Sequence, residues 1–206
     1  LIVKRFAYLA SGQVRLSIWQ MTLSTVQSTL WGFLVGVSTG FAAGLVLGRN
    51  DRLARIFDPY IVAFNSRPRI ALVPLITMIF GFGLLAKVVL AWTIVFFIVF
   101  FNTFQGARSV DADLIHSARF LGASEAQVMR SVVVPSALAW TFASLTPSIS
   151  FALIGVVVGE FIGGESGGGL GYLIIQSLGT LNAADMMVAL AVLGVTRAVP
   201  ERVGAE

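Results

Sequence analysis

Residues 105–139 read QGARSVDADLIHSARFLGASEAQVMRSVVVPSALA, and this interval decides how the rest of the chain is read. It is the longest charged stretch between apolar runs. Residues 88–101, VVLAWTIVFFIVFF, precede it and residues 140–158 follow it, both without a charge. Between them stand Arg108, Asp111, Asp113, His116, Arg119, Glu125 and Arg130. The spacing predicts two short helices with a break. Asp111 suits an N-cap, because its carboxylate accepts from an orphan backbone N–H. Leu114, Ala118 and Leu121 then share a face at i, i+4 and i+7. Gly122 follows, where a helix end favours a left-handed residue. Ser124 and Gln127 have capping-box spacing for the second helix. Pro135 has no N–H to donate, so it marks an end or a kink.

Composition sets the class. Of 206 residues, 57% are hydrophobic and only 12% are charged, with a mean hydropathy of +0.89. Soluble domains carry about 25% charged residues, so this chain belongs in a lipid bilayer. The net charge of +4 raises the question of nucleic acid. The basic residues are scattered beside apolar runs and form no single patch, which excludes that partner. There is no cysteine, which excludes disulfides and thiol chemistry and leaves the compartment open. The chain opens on Leu1, not Met, which points to a missing N-terminal piece. Residues 1–20 hold Lys4, Arg5 and Arg15 but no long apolar core, so no signal peptide is expected.

One membrane domain over residues 1–206 is expected, with five spans. The first covers 23–47 and has Gly32, Gly36, Gly40 and Gly44 at every fourth position. Small residues at that spacing let helices approach closely in lipid, and this reading is preferred to a pore-lining one. The second, 59–82, is interrupted by Arg67, Pro68, Arg69 and Pro74. An arginine at a helix centre costs roughly 2.5–3.5 kcal/mol, so Arg67 and Arg69 are expected near the headgroups. What remains after Arg69 is shorter than the roughly 17 residues a span needs. The run before Arg67 must help, or the helix must bend at Pro68. The third, fourth and fifth spans are read at 88–104, 140–158 and 186–199, with the charged loop 105–139 between the third and fourth. Residues 48–58 and 105–139 carry three arginines each, whereas 81–87 holds only Lys87 and 159–184 has no Lys or Arg. The arginine-bearing loops are therefore expected to be cytoplasmic. Residues 1–20 would then lie outside, which their basic residues oppose unless a first span is missing.

Chemical motifs are weak. The glycine-rich run 163–171 lacks the Lys and Ser/Thr of a phosphate loop. Gly164, Glu165, Ser166 and Gly167 fit the G-x-S-G of intramembrane serine proteases. A serine nucleophile needs a base, and the only histidine, His116, is expected on the other membrane face. A lone histidine without cysteine does not make a metal site. No catalytic constellation and no cofactor is therefore expected. Glu160 follows an apolar run, and ionisable groups at the edge of a span face a cavity or a partner, or mark the helix end.

Ala118, Arg119, Phe120, Leu121 and Gly122, closed by Val133, Val134 and Pro135, resemble the cytoplasmic "EAA" loop of ABC-importer permeases. His116 stands where that family has its glutamate and Ser117 at its first alanine, so a glutamate-to-ATPase ion pair is not implied. Residues 67–87, RPRIALVPLITMIFGFGLLAK, with Pro68, Pro74, Gly81, Gly83 and Lys87, resemble permeases of the nitrate, sulfonate, taurine and thiamine-precursor type. The resemblance covers residues 20–195 or so. It implies an all-α membrane protein of the type I ABC-importer fold, set in the cell (inner) membrane, with about five spans that form a path for a small solute. It implies as partners a cytoplasmic ABC ATPase dimer, which hydrolyses the ATP, an external solute-binding protein and a second permease copy. In the resemblance, Asp111, Leu114, His116, Ala118, Arg119, Gly122 and Pro135 couple to the ATPase. Pro68 and Pro74, which interrupt an otherwise apolar span, and Glu160, at the edge of another, are expected at the path or its gate. The alternative class is an ATP-independent carrier or channel. Such carriers show internal repeats, which this chain lacks, and a channel does not need the long amphipathic loop. The solute is not legible.

Overall fold

Apolar runs of this length have one low-cost solution in lipid. A helix satisfies every backbone group within its own segment. The computed structural model describes residues 17–50, 54–57, 59 and 69–203, and the regular elements among them are helical. Helix α1 is Ile18–Arg49. A 3-10 turn, Arg69–Leu72, leads into α2, Val73–Phe80. Then come α3, Leu84–Arg108, α4, Ala112–Phe120, and α5, Glu125–Val128. A π-helical turn, Met129–Val133, joins α5 to α6, Val134–Gly167. Helices α7, Leu170–Gly179, and α8, Ala183–Val203, follow. Lys4, Arg5, Arg15, Arg52, Arg67 and Pro68 lie outside the described residues, as do residues 60–68 of the second expected span.

Among the described residues, three helices are long and apolar enough to cross a membrane: Ile18–Arg49, Leu84–Arg108 and Glu125–Gly164. The third begins inside the charged loop, well before residue 140. Pro135 explains how. It neither ends the helix nor starts a loop, but sits at the second position of α6. The π turn lies just before it, and the Val134 N–H bonds the Met129 carbonyl. A proline ring presses on the carbonyl four residues back, and a wider turn relieves that pressure. Pro74 likewise does not interrupt a helix. It lies in the first turn of α2, where its missing N–H would have had no intrahelical partner.

The chain divides into two compact units. The described parts of 1–34, 68–94 and 149–206 form one, and those of 35–67 and 95–148 the other. In the first unit, Ile18 and Met21 of α1 pack with Leu170 and Leu173 of α7 and with Val188 and Ala189 of α8. Val73 and Ile76 of α2 pack with Ala86 and Leu90 of α3. In the second unit the glycine face of α1 lies against α3. A Cβ on Gly40 would come within 2.7 Å of the Phe96 carbonyl oxygen, and one on Gly44 within 2.7 Å of that of Phe100. The four-residue glycine repeat is thus a helix–helix contact, because only a hydrogen lets the backbones come so close.

Candidate functional site

The charged loop belongs to the second unit and is built from local signals. Asp111 caps α4 by accepting from the Asp113 N–H at 2.9 Å. The helix ends in a Schellman turn: Gly122 N–H bonds Arg119 O at 2.9 Å, and Ala123 N–H bonds Ala118 O at 3.0 Å. Gly122 has φ +85, as the helix end requires. The capping box forms as the spacing predicts. Gln127 N–H donates to Ser124 Oγ at 3.3 Å, and Ser124 N–H donates to Gln127 Oε1 at 2.7 Å. Glu125 then ties the loop together. It accepts from Arg119 Nε at 2.8 Å and pairs with Arg49 at the end of α1.

Burial splits the face read from spacing. Ala118 packs with Ile115 and Ala123 against Ala107, Val128, Val133 and Ala137. Leu114 is exposed, and Leu121 lies past the last turn of α4. Phe120 and Leu121 are 92% and 90% exposed. His116, Arg119 and Pro135 are also on the surface. The loop therefore presents two adjacent large apolar side chains on a capped frame, with Asp111, His116 and Arg119 exposed on the same segment. The sequence reading treated Phe120 and Leu121 as motif and face. The signal that they project was Gly122 itself, which ends the helix before any later turn can cover them.

A second constellation lies in the first unit, around Glu160. The sequence placed this residue at a span's edge, facing a cavity or partner, or at a helix end. Instead α6 runs on past Glu160 to a break at Gly164, where φ is +53 and ψ −140, and Glu160 is 0% exposed. Its Oε1 accepts from Lys87 Nζ at 3.0 Å and from Thr25 Oγ1 at 2.8 Å. Its Oε2 accepts from the Gly171 N–H at 2.8 Å. Lys87 is 3% exposed and also donates to Ser24 Oγ at 3.0 Å and to Gly168 O at 3.1 Å. Thr25 Oγ1 accepts in turn from the Leu170 N–H at 3.0 Å.

This geometry accounts for the glycine-rich run. Gly168 and Gly169 take φ +53 and +101, and α7 begins at Leu170. A helix N-terminus presents free N–H groups and a positive dipole end, suited to an anion. Here the anion is the chain's own carboxylate, so the run resembling a phosphate loop is filled by Glu160. A Cβ on Gly169 would run into that carboxylate. Removing one partner of a buried ion pair costs about 3–5 kcal/mol, because a charge is left alone. The sequence reading counted Lys87 as a loop charge and missed the pair. The available signal was a lone lysine and a lone glutamate, each set among apolar residues; such groups pair with one another within membranes. Of the other expected path residues, Pro74 is exposed on α2, and Pro68 lies outside the described residues.

Residues 32–199 match the family described as binding-protein-dependent transport system inner membrane component. The chain is 33% identical over 166 residues to the putative aliphatic sulfonates transport permease protein SsuC of Bacillus subtilis, covering 81% of this chain and 56% of that one. It is 35% identical over 176 residues to the riboflavin transport system permease protein RibX of Chloroflexus aurantiacus, covering 85% and 65%. With the taurine transport system permease protein TauC of Escherichia coli it shares 29% identity over 84% of this chain and 62% of that one. The chain thus spans 56% and 65% of the length of the first two of these curated relatives. Among solved structures, a chain of the methionine ABC transporter MetNI in an inward-facing conformation superposes with a TM-score of 0.77 at 22% identity, covering 91% of this chain and 93% of that one. An amino acid ABC transporter gives a TM-score of 0.74 at 20% identity, with 99% and 94% covered. At such identities the likeness establishes the fold, that of an ABC-importer transmembrane domain.

Proposed function

The chain belongs to the binding-protein-dependent transport system inner membrane components, and from that premise we propose that it is the permease subunit of an ATP-driven importer. It lies in the membrane in several passes and forms, with a second copy, the path of a small solute. A cytoplasmic ABC ATPase dimer docks on the charged loop, and an external solute-binding protein delivers the ligand. The relatives' names differ in solute, from sulfonates to riboflavin, so the binding protein is the component that selects it.

One observation carries this reading: the exposed Phe120–Leu121 pair on a frame held by a Schellman turn and a capping box. An apolar centre with a charged rim has the anatomy of a protein interface. Leu114 and Gly122 are exposed on the same loop, as are Asp111, His116 and Arg119, while Ala118 holds the frame from inside. Helix α5, the π turn with the adjoining Pro135, and α6 run on as one helix from Glu125 to Gly164. The second helix of the loop is therefore the start of a span, and a push from the ATPase reaches the path directly. Pro68 and Pro74 belong to the path in this proposal. Glu160, fully buried, serves it from behind the wall. An ATP-independent carrier has no use for such an exposed tip.

Gly122→Asp tests the reading. Aspartate tolerates the left-handed region better than most residues, and a Cβ at Gly122 meets nothing within 4 Å. The loop should keep its shape while a charge enters the contact. The variant should insert normally, yet recover at least tenfold less ATPase on co-purification in detergent. Full recovery together with wild-type uptake would remove the loop as the docking site and favour the carrier reading.

A further inference from the structure

We infer that the Lys87–Glu160 pair is a permanent clamp, which carries the glycine-rich turn 164–171 together with the Thr25 region of α1 and the Lys87 region of α3 through the whole transport cycle. The inference rests on the importer reading above and adds to it a statement of which part does not move.

Three observations support it. The network is saturated. An ammonium group has three protons, and Lys87 Nζ spends them on Ser24 Oγ, Glu160 Oε1 and Gly168 O. The carboxylate holds Lys87, Thr25 and the Gly171 N–H, and Thr25 holds the Leu170 N–H. Among the described residues no buried side-chain nitrogen or oxygen lacks a partner.

The turn is also shaped to the pair. A side chain on Gly169 would collide with the carboxylate, and a Cβ on Gly171 would lie 2.6 Å from Val157 O and 2.8 Å from Glu160 Cβ. The turn is thus seated on Glu160 itself, and two residues without side chains permit the fit.

Finally, the described side chains beside the network include large apolar ones. Leu170 is fully buried beside the network, Gly159 faces Leu90, and Gly163 faces Phe82. A latch that opens needs water or replacement ligands for both of its charges. Here opening would strand a lysine and a carboxylate among apolar side chains, a costly state in a membrane protein. Lys87 and Glu160 are therefore positioning residues, and the motion of transport lies outside this cluster.

Hydrogen exchange reads the clamp directly, because the Leu170 and Gly171 amides donate to its members. The measurement uses the assembled transporter with its ATPase, nucleotide-free and nucleotide-trapped. Both amides should be strongly protected and agree within about twofold between the two states. A tenfold rise in either state would show a latch that opens and would overturn the inference. Wild-type uptake in the same preparation tests the importer reading separately. Charge coupling is read from Lys87→Met, Glu160→Gln and the double variant. Each single change should speed exchange of these amides at least tenfold or lower the yield of inserted protein. The double variant, neutral on both sides, should return most of the protection or yield. Singles that match wild type, or a double as impaired as the worse single, would each count against the clamp.

Discussion

Gly122 has φ +85 and open space where a Cβ would stand, so its backbone alone constrains it. Substitution there separates conformational strain from packing. Gly122→Asn should be near wild type, because asparagine visits the left-handed region readily. Gly122→Val should cost about 1–2 kcal/mol. Exchange of the Ala123 amide, which donates to Ala118 O, should then speed by roughly tenfold in the valine variant. Equal protection in both variants would mean that the turn is not what holds the loop. Gly122 was legible in the sequence because its neighbours announce it: a helix face ends there and a capping box follows. Glu160 was not legible in the same way. Its partners Lys87 and Thr25 are 73 and 135 residues away in the chain, and no local pattern links them. Composition alone hinted at a pair, but which residues meet shows only once α1, α3 and α6 are folded around it.

Helices were legible as apolar runs, and their boundaries were not. The charged loop ended at residue 139 in the sequence reading, yet the helix that becomes the fourth span starts at Glu125. Charge marks where a chain meets water, whereas a helix ends where its backbone bonds end, and these places differ by several turns. The prolines misled for a related reason. Pro74 sits in a first turn, where a missing N–H is tolerated, and Pro135 follows a π turn that relieves its ring, so neither breaks its helix. The glycine repeat was legible because its effect is local to one face. It also makes a prediction. Gly40→Leu must displace the Phe96 backbone, since even a Cβ would approach its carbonyl to 2.7 Å. Overpacking of this kind costs about 1–3 kcal/mol, so the melting temperature in detergent should fall by several degrees. Val46→Leu, on an exposed face of the same helix, should leave it unchanged. If the two variants melt alike, the glycine face is not a packing surface.

At the scale of the molecule the membrane itself imposes a sidedness that can be tested. Helix α3 has 25 residues, about 37 Å at 1.5 Å per residue, more than the roughly 30 Å of a hydrocarbon core. Its two ends should therefore face opposite sides. Positive charge selects which is which. Arg108, Arg119 and Arg130 lie in or beside the loop that follows α3, while 159–184 carries no Lys or Arg. Lys87, the one basic residue of 81–87, is buried and paired with Glu160, so it adds nothing to the flanking charge at its own end. The asymmetry is stronger in the structure than in the count. Since the chain has no cysteine, single cysteines report without background. Ser109 and Ser166 are both exposed, one just after α3 and the other near the end of α6. A membrane-impermeant maleimide should label Ser109→Cys only in inside-out vesicles and Ser166→Cys only in right-side-out ones. The opposite pattern would place the Phe120–Leu121 tip outside the cell, where no ATPase can reach it, and the importer assignment would fall with it. Labelling of both from one side would instead mean that α6 does not cross the bilayer, which would contradict the fold's use of its longest apolar helix.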